Sequence, residues 1–353
     1  TNEYAGTVHY FGKNGALSGD LRGNGVTLDP DFRQHQLGFT LGGPIVRDRL
    51  FFFTAYDQQV YGETKQQTRP RTPQLDSLTG FLRTAFGGAL ADDFRPIDRT
   101  NDAQVFLAKV DWRVSDRHLF SAKYNFTNSR QENGTFDVDT WGASANATER
   151  AFSNALSGQL SSQLGDAVSN EFRFQLARED RPREYDAPTL PGGRDFPDVA
   201  MDFGNAFRLG RPFFIPVAYN DTRLQLLNNV SWVRGTHLFK AGAEVNWVNS
   251  SQTFVGFANG RFIFNSVSGF INYATRGNGY VECSNGTTST TGACPAGATI
   301  TGPVLLYLQQ AGVGGRTVEQ SGTQEIPQTD LAVFVQDTWK PTATLTLNYG
   351  LRW

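Results

Sequence analysis

No run of this chain approaches the roughly 18 consecutive apolar residues that a membrane-spanning helix requires, so a helical span is excluded. The formal net charge is only −2, which leaves no electrostatic footprint for nucleic acid. Histidine is scarce and scattered, at His9, His35, His118 and His237, and reads as interfacial or exposed. There is no His-Glu-x-x-His and no Gly-x-Ser-x-Gly, and no paired carboxylates stand at catalytic spacing. Gly42-Gly43-Pro44 reads as a strand end entering a turn, since a phosphate loop would need a following Lys-Ser or Lys-Thr. These absences argue against an enzyme and call for no cofactor. Asp92-Asp93 and Glu179-Asp180 lie in or beside loops and are expected to be solvated, with calcium binding as the lesser alternative. Thr1 to Thr7 hold no basic region followed by an apolar core, and the chain stops at Arg352-Trp353 inside an apparent strand. It is therefore read as part of a longer protein.

Cysteine occurs only twice, at Cys283 and Cys294, both in one Ser-, Thr- and Gly-rich segment. No histidine or second cysteine pair stands nearby to complete a zinc site. A disulfide is the preferred reading over two free thiols, and closing so short a loop contributes roughly 2–3 kcal/mol in the chain-entropy model. Such a bond persists in an oxidising, outward-facing setting.

What the chain has in quantity is aromatic residues, at 13% with 28 Phe, together with 37 Gly. That balance favours strands and turns. Five times, two stretches of alternating apolar and polar residues meet across a few polar residues. The joints are Val46-Arg47-Asp48-Arg49, Ser115-Asp116-Arg117, Leu164-Gly165-Asp166, Arg234-Gly235-Thr236 and Lys340-Pro341-Thr342-Ala343. The remaining connections are long, at about residues 58–102, 129–151, 180–221 and 250–328, with a shorter one at about 13–33. Short turns at one end and long loops at the other predict an all-β fold: a transmembrane, antiparallel, up-and-down β-barrel with periplasmic turns and extracellular loops.

The phase of the alternation supports this. Apolar columns run Phe106, Ala108, Val110, Trp112; Phe120, Ala122, Tyr124, Phe126; Leu156, Gly158, Leu160; Phe172, Phe174, Leu176; and Leu224, Leu226, Val230, Trp232. They continue with Phe239, Ala241, Ala243, Val245, Trp247 and with Leu345, Leu347, Tyr349, Leu351. None contains a charge, as expected where a lipid-facing Lys or Arg costs roughly 2–4 kcal/mol at the bilayer midplane. The opposite faces carry Lys109, Asp111, Lys123, Glu171, Arg173, Lys240 and Glu244, too polar for a sandwich core and suited to a wet or plugged lumen. Trp112, Trp232, Trp339 and Trp247 sit near arm ends, where interfacial aromatic girdles form. Arms of about 9–12 residues suffice to cross the bilayer. With a leading strand at residues 4–11, about eleven strands are expected; those near 36–42 and 51–56 alternate less cleanly. Local helix is expected at 75–86 and 303–310, and irregular chain at 69–73 and 182–197. The loop aromatics Trp141, Phe207, Phe213, Phe214, Phe254, Phe257, Phe262, Phe264 and Phe270 either pack into a cap, the preferred reading, or form a carbohydrate or peptide surface.

The segment from Phe32 through Leu41-Gly42-Gly43-Pro44-Ile45-Val46-Arg47-Asp48-Arg49-Leu50 to Phe53 resembles the early barrel of Oar-like TonB-dependent outer-membrane receptors. Asn2-Glu3-Tyr4-Ala5-Gly6 looks like that family's first barrel strand. Phe334-Val335-Gln336-Asp337-Thr338-Trp339-Lys340 with Leu345-Thr346-Leu347-Asn348-Tyr349-Gly350-Leu351-Arg352 looks like a later strand-turn-strand. The resemblance implies a barrel of about 22 strands filled by an N-terminal plug, of which residues 1–353 would be a partial barrel domain without plug or TonB box. It implies a bacterial outer-membrane location and contact with its lipid. It also implies import of a scarce solute (carbohydrate, peptide or siderophore) driven by the TonB complex through the missing N-terminal region. On this footing the seven polar-face charges are expected to touch the plug, or else to pair across strands within the wall. The alternatives are a passive porin or adhesin and, further off, a secreted soluble β-rich binding protein.

Overall fold

The computed structural model describes residues 2–353 except 24–25, 29–30, 66–71, 88–89, 137, 186–188, 191–192 and 202–206. Residues 69–71 and parts of 182–197, expected to be irregular, lie outside the described residues. Among the described residues the main element is a 12-stranded antiparallel sheet. It comprises the two-residue strand Arg183–Glu184 and the long strands β1 (Ala5–Asn14), β2 (Phe32–Val46), β3 (Leu50–Lys65), β4 (Ile97–Ser115), β5 (His118–Glu132) and β6 (Thr148–Gln163). The others are β7 (Val168–Asp180), β8 (Val217–Arg234), β9 (His237–Phe254), β10 (Thr323–Thr342) and β11 (Leu345–Arg352). Each long strand pairs antiparallel with its neighbour in sequence.

The strands outrun their expected length. β4 has 19 residues, β8 and β9 18 each, and β10 20. The excess lies at the long-loop ends, where polar pairs such as Asn101 opposite Gln131 and Ser251 opposite Glu325 extend the ladder. Past the hydrocarbon layer the ladder no longer needs an apolar face, so hydrogen bonding alone carries it upward. The tight ends are local in origin. In the turn between β2 and β3, Asp48 takes a left-handed φ of 61° and its N–H donates to Asn2 Oδ1 at 2.8 Å. A side chain at Gly43 would strike the Tyr4 ring at 2.4 Å, and Tyr4 Oη donates to the Pro44 carbonyl at 2.8 Å.

Register fixes the faces, because directly paired residues in antiparallel strands share a side. Phe106 pairs with Phe126, Tyr124 with Leu156, Leu156 with Leu176, Leu176 with Leu224, and Leu224 with Trp247. The predicted apolar columns thus form one continuous outward surface. A carboxylate stands among them near the tight turns. Asp337, next to the tight turn after β10, is held by His237 Nδ1 at 2.7 Å and Tyr349 Oη at 2.6 Å. The His237 ring stacks on Phe239 and Trp339 at 5.4 Å each, so this histidine is a clamped interfacial residue rather than a free one.

The hydrophobic core lies outside the wall, in the loops. Helix α1 (Pro73–Phe86) starts where Thr72 Oγ1 accepts from Leu75 N–H at 3.2 Å and Pro73 occupies the first turn. It ends at Gly87 with φ 65°; the helix expected at 75–86 is present, but Thr72 and Pro73, expected to be irregular, form its cap and first turn. Its buried Leu75, Leu78 and Leu82 meet helix α2 (Val267–Arg276) through the Phe81–Phe270 edge contact at 5.7 Å. A small sheet completes the core. Its strand Asp198–Met201 lies between Phe207–Leu209 and Arg261–Phe264, and Val304–Leu308 pairs on beyond. A short helix α3 (Val318–Gly322) leads into β10.

Residues 303–310 are therefore not helical. Val304-Leu305-Leu306-Tyr307-Leu308 runs antiparallel to Arg261–Phe264, with the Tyr307 and Phe262 rings 4.5 Å apart. Pairing with the strand beside it outweighs the local helix preference of Leu305, Leu306 and Leu308. Conversely, α2 arises in a stretch read as loop, where Ser266 Oγ accepts from Gly269 N–H at 2.9 Å and Gly277 closes the helix at φ 87°.

Candidate functional site

Two surfaces carry polar chemistry: the inner face of the wall and the loop cap. On the inner face, all seven sequence-predicted charges stand on one side of the sheet. Lys109 is opposite Lys123, Gln159 opposite Arg173, Ser161 opposite Glu171, Leu227 opposite Glu244, and Ser231 opposite Lys240. They do not neutralise one another across strands. Lys109 Nζ reaches Asp111 Oδ2 at 2.8 Å, and Arg173 Nη2 reaches Glu171 Oε1 at 2.9 Å, each two residues along the same strand. Successive same-side residues of a strand are close enough for long side chains to meet. Glu171 also accepts from Gln159 Nε2 at 2.9 Å, and Glu244 from Gln225 Nε2 at 2.7 Å. Arg352 lies 3.5 Å from Glu244 across strands. Further along the wall, Asp57 takes His9 Nε2 and Gln36 Nε2, both at 2.9 Å. That network gives His9 a polar-face partner which sequence spacing does not reveal.

The cap is organised around two buried carboxylates. Arg208 donates Nε to Asp198 Oδ1 at 2.7 Å and Nη2 to Oδ2 at 2.6 Å; Arg261 Nε stands 3.4 Å from the same carboxylate. The Arg208 guanidinium lies 4.3 Å from the Trp141 ring and 5.2 Å from that of Phe213, so its faces are covered by aromatics while its edge is spent on Asp198. Burial pushes the Asp198 carboxyl up, and the two arginines oppose that shift. Asp93, expected to be solvated, is only 2% exposed. Its oxygens accept from Ser144 N–H at 2.7 Å and Ser144 Oγ at 2.8 Å, while Ser144 Oγ accepts from Gly210 N–H at 2.8 Å. One carboxylate thereby ties together three loops, and burial pushes its carboxyl up to about 6. The loop aromatics pack together: Phe207, Phe264 and Phe270 are in the core, and Phe213 stacks on Phe257 at 4.8 Å.

Cys283 and Cys294 form a disulfide, Cα to Cα 5.8 Å, at the base of a small sheet of Val281–Cys283, Thr288–Ser289 and Ile300–Gly302. Among the described residues no three His, Cys, Asp or Glu side chains gather as a metal site.

The outer membrane beta barrel domain family matches residues 1–95 and 85–353, and the chain belongs to it. That membership and the two-faced wall place the protein in the bacterial outer membrane. No protein of curated function matches the sequence. Among solved structures the chain is similar to the outer membrane transporter YddB of Escherichia coli, at 12% identity and TM-score 0.53, covering 93% of this chain and 35% of that one. It is also similar to the ferric enterobactin receptor PfeA of Pseudomonas aeruginosa, at 11% identity and TM-score 0.47 over 100% of this chain and 39% of that one. A third is the ferric yersiniabactin uptake receptor FyuA of Yersinia pestis, at 10% identity and TM-score 0.45 over 99% and 42% respectively. The chain thus spans well under half the length of these relatives.

Proposed function

We propose that residues 1–353 are the N-terminal half of the barrel domain of a TonB-dependent transporter, which binds a scarce solute at its outer loops and imports it chemically unchanged. The observation that supports this reading best is the cap. Loops from both sides of β4 to β9 are condensed around one hydrophobic core and two buried carboxylates. A passive pore gains nothing from rigid outer loops, whereas a binding surface does, because preorganised loops lose less entropy when a ligand seats. The adhesin alternative shares that benefit but has no use for the charged inner face. A soluble β-rich protein would leave the whole outward apolar surface bare to water. Energy from the TonB complex would enter through a plug and TonB box on a region N-terminal to these residues, and the seven inner-face charges would border that plug. The solute would be a carbohydrate, peptide or siderophore.

The test is conductance of the full-length protein reconstituted in planar bilayers. A plugged transporter holds the membrane closed to ions until the plug is loosened by denaturant. Steady ohmic conductance from the native protein overturns the transporter reading in favour of the porin.

A further inference from the structure

Lys109 on β4 and Lys123 on β5 are direct register partners, so their side chains leave the inner face next to each other. Like charges in that position destabilise a strand pair unless something offsets them. Asp111 offsets Lys109 at 2.8 Å, but Lys123 has no ion-pair partner among the described residues. One row nearer the periplasm, Arg173 projects from the same face. These three cations line a concavity of about 540 Å³ whose other polar walls are neutral side chains such as Ser157, Gln159 and Gln175. Among the described residues no carboxylate lines it; Asp111 and Glu171 stand outside, each engaged with one cation, and Glu244 takes the Gln225 amide. By contrast, the concavity around Lys240, lower on the same face, is lined by Asp116 and Glu171 as well as Arg117.

We propose that the Lys109–Lys123–Arg173 concavity is an oxyanion subsite, which takes a carboxylate or phosphate group with Lys123 as its principal cation. Ammonium and guanidinium groups supply charge-assisted donors, and neutral amides and hydroxyls complete the shell without repelling an anion. The inference rests on the transporter reading only in placing this face inside a barrel. The oxyanion belongs either to a free solute or to the side chain of a polypeptide segment lodged in the lumen.

The probe is pyridoxal 5′-phosphate, applied to the full-length protein in detergent. Its aldehyde condenses with an amine to an imine with loss of water, borohydride reduces the imine, and peptide mass spectrometry reads each lysine. For a free-solute subsite, Lys123 labels faster than Lys240, and millimolar inorganic phosphate slows Lys123 by about tenfold, the scale of one charge-assisted contact, while sparing Lys240. For a lodged segment, Lys123 resists the probe and a carbodiimide instead joins it, by an amide bond, to a carboxylate outside residues 1–353. Either result supports the subsite. Labelling of Lys123 at the Lys240 rate, indifferent to phosphate, overturns it, as does carbodiimide coupling of Lys123 to Asp111 or Glu171. In the free-solute case phosphate should also slow Lys109, and Lys123→Gln, checked for a heat-resistant barrel on gels, must remove that protection. Bilayer conductance separates the two failures, since a closed barrel with an indifferent Lys123 removes the subsite and leaves the transporter reading standing.

Discussion

The guanidinium of Arg208 and the carboxylate of Asp198 meet edge to edge through two hydrogen bonds of 2.7 and 2.6 Å, with Asp198 fully buried and Arg208 only 4% exposed. They lie on adjacent strands of the cap sheet, with Ala200 opposite Arg208 in register. Removing Arg208 breaks the bidentate pair and leaves buried Asp198 with only Arg261 at 3.4 Å, a loss approaching the roughly 3–5 kcal/mol of a broken buried pair, whereas removing both exchanges the pair for apolar packing beside Arg261. Arg208→Met should therefore loosen the cap and expose the outer loops to protease on intact cells. The Asp198→Leu/Arg208→Met double variant should recover much of the protection. Both variants should keep the heat-resistant gel mobility of the barrel, because the pair lies outside the wall. A single variant as protease-resistant as the parent would show that the pair does not hold the cap.

Asp93 gives the cap a pH dependence of defined sign. Burial is the largest influence on its carboxyl and outweighs the opposing Ser144 hydrogen bonds and the Arg95 charge, so its folded value rises to about 6. The unfolded value is about 3.9. Between those two values the folded cap binds the proton that the unfolded cap has lost, so stability falls as pH rises through the window and levels off above it. The loss amounts to about 3 kcal/mol. The denaturant midpoint of the cap, followed by near-ultraviolet circular dichroism, should drop from pH 4.5 to 6.5. Asp93→Asn should flatten the slope, since an amide oxygen still accepts from Ser144 N–H. An unchanged slope in that variant would assign the effect to another group.

The Cys283–Cys294 bond closes a loop of separation 11 within the cap, away from the core contributed by α1. Its loss should cost the cap roughly 2–3 kcal/mol in the chain-entropy model. Non-reduced peptide mapping of the full-length protein should recover the linked pair. Reduction should then make residues 281–302 the first site of proteolytic cleavage and leave the wall's mobility on gels untouched. Free alkylation of either thiol without reductant would contradict the pairing.

The wall was legible because it is written locally. Alternation, turn residues and the position of Trp112 or Trp232 are all contained within one hairpin, and register follows from a joint of a few residues. The cap was legible only in part. The body of α1 and the disulfide are short-range signals and are read from the sequence, whereas the helix's Thr72-Pro73 start, expected to be irregular, is not. The strand at Val304–Leu308 depends on Arg261–Phe264 lying beside it, and the Arg208–Asp198 pair on a sheet that residues 198–264 build together. Asp93 meets Ser144, 51 positions away, so its burial leaves no local mark. The inner-face charges were found by phase, but their pairing along strands, as in Lys109–Asp111, is set by side-chain reach rather than by pattern.

Phe174 and Gln175 are chain neighbours on opposite faces of β7, and they separate the membrane reading from a soluble one. Phe174 is opposite Gly158 and Leu226 on the apolar side, whereas Gln175 is opposite Ser157 and Gln225 on the polar side. A Cβ at Gly158 would meet the Phe174 ring at 2.4 Å, so that glycine makes room for it. In the full-length protein Phe174→Arg should impair membrane insertion, because a lipid-facing arginine costs roughly 2–4 kcal/mol near the midplane. Gln175→Arg should insert, because the inner face is wet, although it adds a cation beside Lys123 and Arg173. A sandwich core would also punish the first substitution, so the location of the effect decides. A cysteine in place of Phe174 should react with a lipid-phase probe and resist an aqueous maleimide in intact outer membranes, and one in place of Gln175 should resist the lipid probe. Efficient aqueous labelling at position 174 would reverse the assignment of faces and, with it, every inner-face role argued from register.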